Sequence, residues 1–187
     1  EDGAYVTLEN VVTTTGKSTL GDFFYVEQPD RSAGIRVSTE NAGVLPDFEQ
    51  GTPMTVTGIM STVDGERVVT IPELILGTGT TPIKPVGMNS RALGGGTDGL
   101  QQGVDGSVGL NNIGLLVRVF GKVTASEAGE FTITDGYGPV KVVLPPGVTV
   151  LTSERVIVTG ISSCTQGTDG KLVRTIRVRG ESDIKPL

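Results

Sequence analysis

Apolar and polar residues alternate with a period of two along most of this chain, and no stretch sustains the 3.6-residue period of an amphipathic helix. The alternation predicts ten strands in two sets of five. The first set is Tyr5–Val12, Phe23–Glu27, Ile35–Ser38, Met54–Met60 and Arg67–Leu76; the second is Leu115–Thr124, Phe131–Asp135, Val140–Leu144, Arg155–Ser162 and Leu172–Arg179. Turn residues fall between them. Asp64-Gly65 and Asp169-Gly170 supply the positive φ of tight hairpins ahead of each fifth strand, and Ala128-Gly129 marks another turn. Pro46 and Pro145-Pro146 sit where each set needs a longer connection between its third and fourth strands. Pro72 cannot donate to a ladder, so the strand carrying it is an edge or is broken there.

The two sets are copies of one unit. Val56-Thr57-Gly58-Ile59 returns as Val158-Thr159-Gly160-Ile161, and Phe24-Tyr25-Val26-Glu27 with Ile35-Arg36-Val37 precedes the first copy as Phe131-Thr132-Ile133-Thr134 with Val140-Lys141-Val142 precedes the second. Five short strands with a long third connection follow the plan of the OB-fold, a Greek-key barrel. The expectation is therefore an all-β protein of two tandem five-stranded OB-like barrels, residues 1–76 and 114–187, with a five-stranded sandwich as the rival. Residues 77–113 join them as a long Gly-rich strap. Its apolar residues Ile83, Val86, Met88, Leu93, Leu100, Val104, Val108 and Ile113 predict packing against the barrels rather than a free tether.

Charge separates the copies. The chain of 187 residues carries a net −6, but residues 1–76 hold 4 Lys/Arg against 12 Asp/Glu, while residues 114–187 hold 9 against 7. Balances of −8 and +2 on like modules are either drift on solvated faces or the basis of a head-to-tail homo-oligomer or polymer. Apolar residues at 36% and charged residues at 19% are ordinary for a folded domain, and no apolar run is long enough to cross a bilayer. Glu1 reads as the start of a mature or excised chain. One cysteine, Cys164, forms no internal disulfide and is expected to be a small buried residue.

The residue types exclude much chemistry. Without histidine, imidazole bases, Ser-His-Asp and Cys-His arrangements and most zinc sites are ruled out. The acid pairs Asp47/Glu49 and Asp64/Glu66 lie at turns, where solvated carboxylates are common, and Gly94-Gly95-Gly96 lacks the Lys-Ser/Thr ending of a phosphate loop. No residue is assigned a catalytic, cofactor-binding or metal-binding role, and no cofactor is expected. The candidate interaction residues are Tyr25, Arg31 and Arg36 in the binding region of the first OB-like unit, and Tyr137 in that of the second. Arg174, Arg177 and Arg179 on the last strand are either edge charges that discourage pairing or an ion-paired contact with an acidic neighbour. Single-stranded nucleic acid is disfavoured by a pI near 4.7, by the acidic first unit and by 4% aromatic residues. Glu1 to Ala4 read as a frayed start or a strand donated to a neighbour, and Thr13-Thr14-Thr15 and Thr78 to Thr81 as acceptors of O-linked sugar.

The segments Gly21 to Val37, Asn89 to Gly96, Asn111 to Arg118 and Ile161-Ser162-Ser163-Cys164 resemble those of tandem OB-like modules in uncharacterised surface and secreted proteins of environmental bacteria. The resemblance implies paired barrels and an extracellular or cell-surface setting, and brings no catalytic residues. The expected function is a non-enzymatic structural or adhesive protein, a self-assembling subunit of a surface filament or layer. A carbohydrate-binding surface module is the alternative.

Overall fold

The computed structural model describes residues 1–149 and 154–187; residues 150–153, in the expected long connection of the second unit, lie outside that description. The first unit contains β1 (Tyr5–Thr13), β2 (Phe23–Glu27), β3 (Gly34–Ser38), β4 (Pro53–Val63) and β5 (Glu66–Leu76). They close into a barrel in the order β1-β2-β3-β5-β4, with β3 and β5 parallel and the other pairs antiparallel. After β6 (Val86–Gly87), the second unit repeats the order with β7 (Leu116–Glu127), β8 (Glu130–Thr134), β9 (Pro139–Val143), β10 (Arg155–Gln166) and β11 (Leu172–Arg177), closed by the pairing of β10 with β7. β6 lies parallel to β7, and β12 (Ile184–Pro186) pairs with β10. The fold is all-β, two closed OB-like barrels, so closure excludes the sandwich. Short 3-10 turns at Ser90–Ala92 and Glu181–Asp183 are the only helical segments among the described residues.

Alternation fills each barrel. Val11, Phe24, Val26, Val37, Met54, Val56 and Val69 make the first core, and Val117, Val119, Phe131, Ile133, Val142, Val158 and Ile176 the second. The repeated Val-Thr-Gly motif marks where the fifth strand presses on the fourth. A Cβ on Gly58 would stand 2.6 Å from Val69 Cγ1 and 2.7 Å from the Thr70 carbonyl oxygen, and one on Gly160 would stand 2.6 Å from Ile176 Cγ2 and 2.7 Å from the Arg177 oxygen. Beyond this point the copies diverge. β5 passes the motif through a bulge at Ile71, which has φ 49°, and Pro72, then pairs Leu74 with Val56; in the second unit a loop and a 3-10 turn intervene before Ile184 of β12 pairs with Val158. The proline is thus accommodated at a break in the ladder.

The segment from Gly77 to Gly114 is fastened to both units. Leu93 is wholly buried in the second core, Ile83 packs between the barrels, and Val104 and Ile113 surround Cys164 and Leu172, whereas Leu100 and Val108 face solvent. Buried Asn112 accepts from Gly94 N at 2.8 Å and Ser162 Oγ at 2.7 Å, and donates to the Ala92 oxygen at 2.7 Å, which satisfies its amide and ties the segment to β10. Gln101 does the same for the first barrel, accepting from Arg67 N at 2.8 Å and donating to the Gly65 oxygen at 3.0 Å.

Two expectations are corrected. The segment Glu1 to Ala4 is neither frayed nor free for a neighbour, because Gly3 N donates to the Met60 oxygen, Met60 N donates to the Ala4 oxygen, and Asp2 pairs with Arg67. Thr13, Thr14 and Thr15 are buried and cannot take sugar in the folded chain, whereas Thr78 and Thr80 face solvent. The close approach at the repeated glycine yields a prediction: Gly160→Ala lowers unfolding free energy by about 2 kcal/mol in urea denaturation, because backbone as well as side chain must shift. An unchanged midpoint would refute this reading of the motif.

Candidate functional site

Alternation alone would leave Phe23, Tyr25 and Glu27 facing water, yet all five residues of β2 are buried. The outer face of β2 and β3 is covered by the second barrel. Val12, Leu20, Phe23 and Tyr25 of the first unit form one apolar cluster with Ile83, Leu116 and Ile161. The backbones meet at Gly34 and Gly114, where a Cβ on either residue would overlap the carbonyl group of the other. Glycine is required at both positions for so close an approach.

A polar group is enclosed in this seam. Glu66 opens β5 and is 1% exposed; the Tyr25 hydroxyl donates to its carboxylate, 2.9 Å from each oxygen. Ser163 Oγ, on β10, stands 3.3 Å from Glu66 Oε2 and accepts from Arg177 Nε at 3.1 Å. Arg36 lies 3.8 Å from the same carboxylate oxygen, and its guanidinium is 3.8 Å from the Phe23 ring centroid, with that of Arg177 at 5.3 Å. Burial pushes the Glu66 carboxyl above the ordinary range, opposed by Arg177 and Arg36 and by the Tyr25 and Ser163 hydrogen bonds. Burial first, then the nearby Glu66 charge, raises the Tyr25 phenol as well.

A second acid lies along the seam. Glu27 Oε2 accepts from Leu116 N at 2.7 Å, while Oε1 is buried without a hydrogen-bond partner among the described residues. Burial pushes Glu27 up from 4.5 to about 7, against the Leu116 hydrogen bond and the charges of Arg31 and Arg179. Arg179 closes the seam elsewhere: Nε and Nη2 bond Asp183 at 2.8 and 2.6 Å, and Nη1 reaches the Thr14 oxygen at 3.4 Å.

Of the candidate interaction residues, Tyr25, Arg36 and Arg177 therefore converge, and Arg179 joins the same interface. Tyr25 is fully buried, which corrects its expected role as a ligand-facing ring. Arg31 is exposed, with Nη1 3.4 Å from the Lys84 oxygen, and Tyr137 is exposed with Arg91 5.9 Å from its ring centroid. Arg174 stands apart, and its Nε is buried without a partner among the described residues. β11 carries Arg174 and Arg177 and lies between β10 and β9, and Arg179 falls beyond its end, so the edge-strand account of the three arginines is also corrected. In sequence Glu66 reads as a solvated turn acid, and Glu27 and Ser163 carry no local signal of a site. Asp47 and Glu49 do face solvent. Cys164 is buried, and burial pushes its thiol up to about 12, which suppresses the nucleophilic thiolate.

An open concavity beside the seam is a cleft of about 400 Å³ between the first barrel and the connecting segment, lined by residues including Ile35, Met60, Arg67, Asp98, Gln101 and Asn111. Among the described residues no three His, Cys, Asp or Glu side chains gather as a metal site, and no helix is long and apolar enough to cross a membrane.

The fold defines a tandem OB-like barrel protein. No protein-family model matches the chain, and no curated protein matches it in sequence. Among solved structures it is similar to one described as structural mimicry for functional antagonism, at 13% identity over 93% of this chain and 89% of that one, with a TM-score of 0.38. It is also similar to the Ifi202 HINa domain in complex with 20-base-pair double-stranded DNA, at 14% identity over 93% and 92%, with a TM-score of 0.37. A murine DNA-binding protein bound to double-stranded DNA matches at 10% identity over 94% and 90%, with a TM-score of 0.36. Likenesses this distant carry no weight for what this chain binds.

The seam generates two predictions. Tyr25→Phe strips a hydrogen bond from buried Glu66 and lowers unfolding free energy by about 1–3 kcal/mol in urea denaturation. Because the folded Glu27 holds its proton more tightly than the unfolded one, its stabilising share is full below pH 4.5 and is lost as pH rises through 7. Stability measured from about pH 5 to about pH 8 should fall by up to about 3 kcal/mol, and Glu27→Gln should flatten that slope. A slope that the variant leaves untouched would locate the proton elsewhere.

Proposed function

We propose that the chain is a non-enzymatic structural or adhesive unit of an extracellular or cell-surface assembly, and that it self-assembles as a subunit. One observation carries this reading: the β2–β3 face, which OB barrels use to hold ligands, is occupied in the first unit by the second barrel of the same chain. The aromatic rings and cations that suggest ligand recognition are engaged in fixing two barrels of unlike charge against each other. A block built this way offers a partner defined surfaces rather than an adaptable groove. The composition and the resemblance to surface modules support the setting.

Carbohydrate binding is a second reading, confined to the second barrel. Its counterpart face on β8 and β9 keeps Thr132 and Lys141 partly accessible, and Tyr137 in the adjoining turn is 61% exposed. Sedimentation velocity and electron microscopy of the purified chain over rising concentration separate the two. Ordered assemblies growing with concentration support the building block. A persistent monomer that selects sugars on a glycan array, with selection lost in Tyr137→Ala, supports the lectin-like reading instead.

A further inference from the structure

We propose that the outer face of β7, β10 and β12 in the second barrel docks on the outer face of β1, β4 and β5 in the first barrel of another copy. The proposal rests on the building-block reading and names its contact surfaces.

Alternation sets the first face. Arg118, Phe120 and Lys122 point outward along β7 while Val119 and Gly121 between them are buried. Register places Phe120 opposite Ile157, Ile157 opposite Lys185, and Lys122 opposite Arg155. Phe120, 56% exposed, and Ile157 thus form an apolar centre within a frame of four cations. Lys122 pairs with Glu154 at 3.3 Å; Arg118, Arg155 and Lys185 have no ion pair among the described residues.

The complementary face lies on the corresponding strands of the first barrel. Tyr5 stands opposite Ile59, Thr7 opposite Thr57, Thr57 opposite Glu73, and Thr55 opposite Ile75. Tyr5 is 71% and Ile75 73% exposed, Ile71 is half-exposed, and Glu9 and Glu73 face solvent beside them. Arg67 is the one Lys or Arg in these three strands, and Asp2 neutralises it. Each face therefore sets exposed apolar side chains among charges, cationic on one barrel and anionic on the other. Because the patches differ, one copy offers both and the contact is heterologous, so copies can follow one another in a row or ring.

Charge selects a second copy over a polyanion. A polyanion on the cationic face would also meet the field of a first unit carrying −8, whereas another copy brings that same acidic unit as the partner. Partly exposed charge pairs of this kind weaken with salt.

The test uses the full chain with two double variants, Lys122→Glu/Arg155→Glu and Glu9→Lys/Glu73→Lys, each checked for folding by circular dichroism. Light scattering and sedimentation velocity are run at low and high salt. Wild-type assemblies should weaken with salt, each variant alone should need about tenfold higher concentration per reversed charge to assemble, and an equimolar mixture of the two should recover assembly. If wild type assembles and both variants assemble equally well, this pairing of faces is overturned while the building-block reading stands. A wild type that stays monomeric throughout overturns both. Wild type that binds dextran sulfate through Phe120, Lys122 and Arg155 without self-assembling also overturns the docking.

Discussion

The arrangement of the molecule depends on one buried carboxylate. Glu66 is sealed between two barrels, and an acid taken from water is tolerated only where hydrogen-bond partners and opposite charges replace the solvent. Tyr25 and Arg36 come from the first barrel, Ser163 and Arg177 from the second. Separating the barrels would strip Glu66 of the latter two while wetting Phe23, Leu116 and Ile161. The polar group and the apolar cluster therefore hold together, and the relative placement of the barrels belongs to the fold itself.

The same requirement explains why two copies of one unit are not interchangeable. Register aligns Phe23, Tyr25 and Arg36 with Glu130, Thr132 and Lys141 of the second unit. Where the first unit presents two rings and a guanidinium, the second has a hydroxyl side chain and an ion pair of its own, Lys141 with Glu130 at 3.0 Å. On the opposite surface, Leu116 and Ile161 enter the seam, whereas their counterparts Tyr5 and Ile59 remain outside it. Duplication supplied the barrel, and divergence of outward-facing positions gave each copy a different neighbour.

Much of the barrel plan was legible in the sequence because strands and hairpins are local. Period-two alternation located the ten barrel strands to within a few residues, and Asp64-Gly65, with φ of 52° and 84°, forms the tight turn its residues predict. β6 and β12 escaped notice, being two and three residues long with no alternation to show. The seam was legible only in part. An outward residue reads the same whether water or another barrel covers it, so Tyr25, Arg36 and Arg177 stood out as candidates while their burial did not. Glu66 follows Asp-Gly and precedes Arg67, a context that reads as a solvated turn, and nothing local announces that Ser163 and Arg177 lie beside it. One signal was present: β2 is apolar on both faces at Phe23, Phe24, Tyr25 and Val26, which a strand with one wet face does not need.

The divergence also limits how copies can meet. Repeating the internal seam between molecules would require the β8–β9 face to receive Tyr5 and Ile59 as the β2–β3 face receives Leu116 and Ile161. That face instead offers Glu130, Thr132 and Lys141, with no ring equivalent to Tyr25 or Phe23 and no buried acid for an incoming side chain to satisfy. The apolar surface left at Tyr5, Ile71 and Ile75 is then without a counterpart of the internal kind. An exposed ring elsewhere, Phe120, is framed by cations, and Tyr5 and Ile75 are accompanied by acids. The proposed contact between copies follows from this: the seam geometry is used once within the chain, and the surfaces that remain are matched by charge and apolar content rather than by repetition.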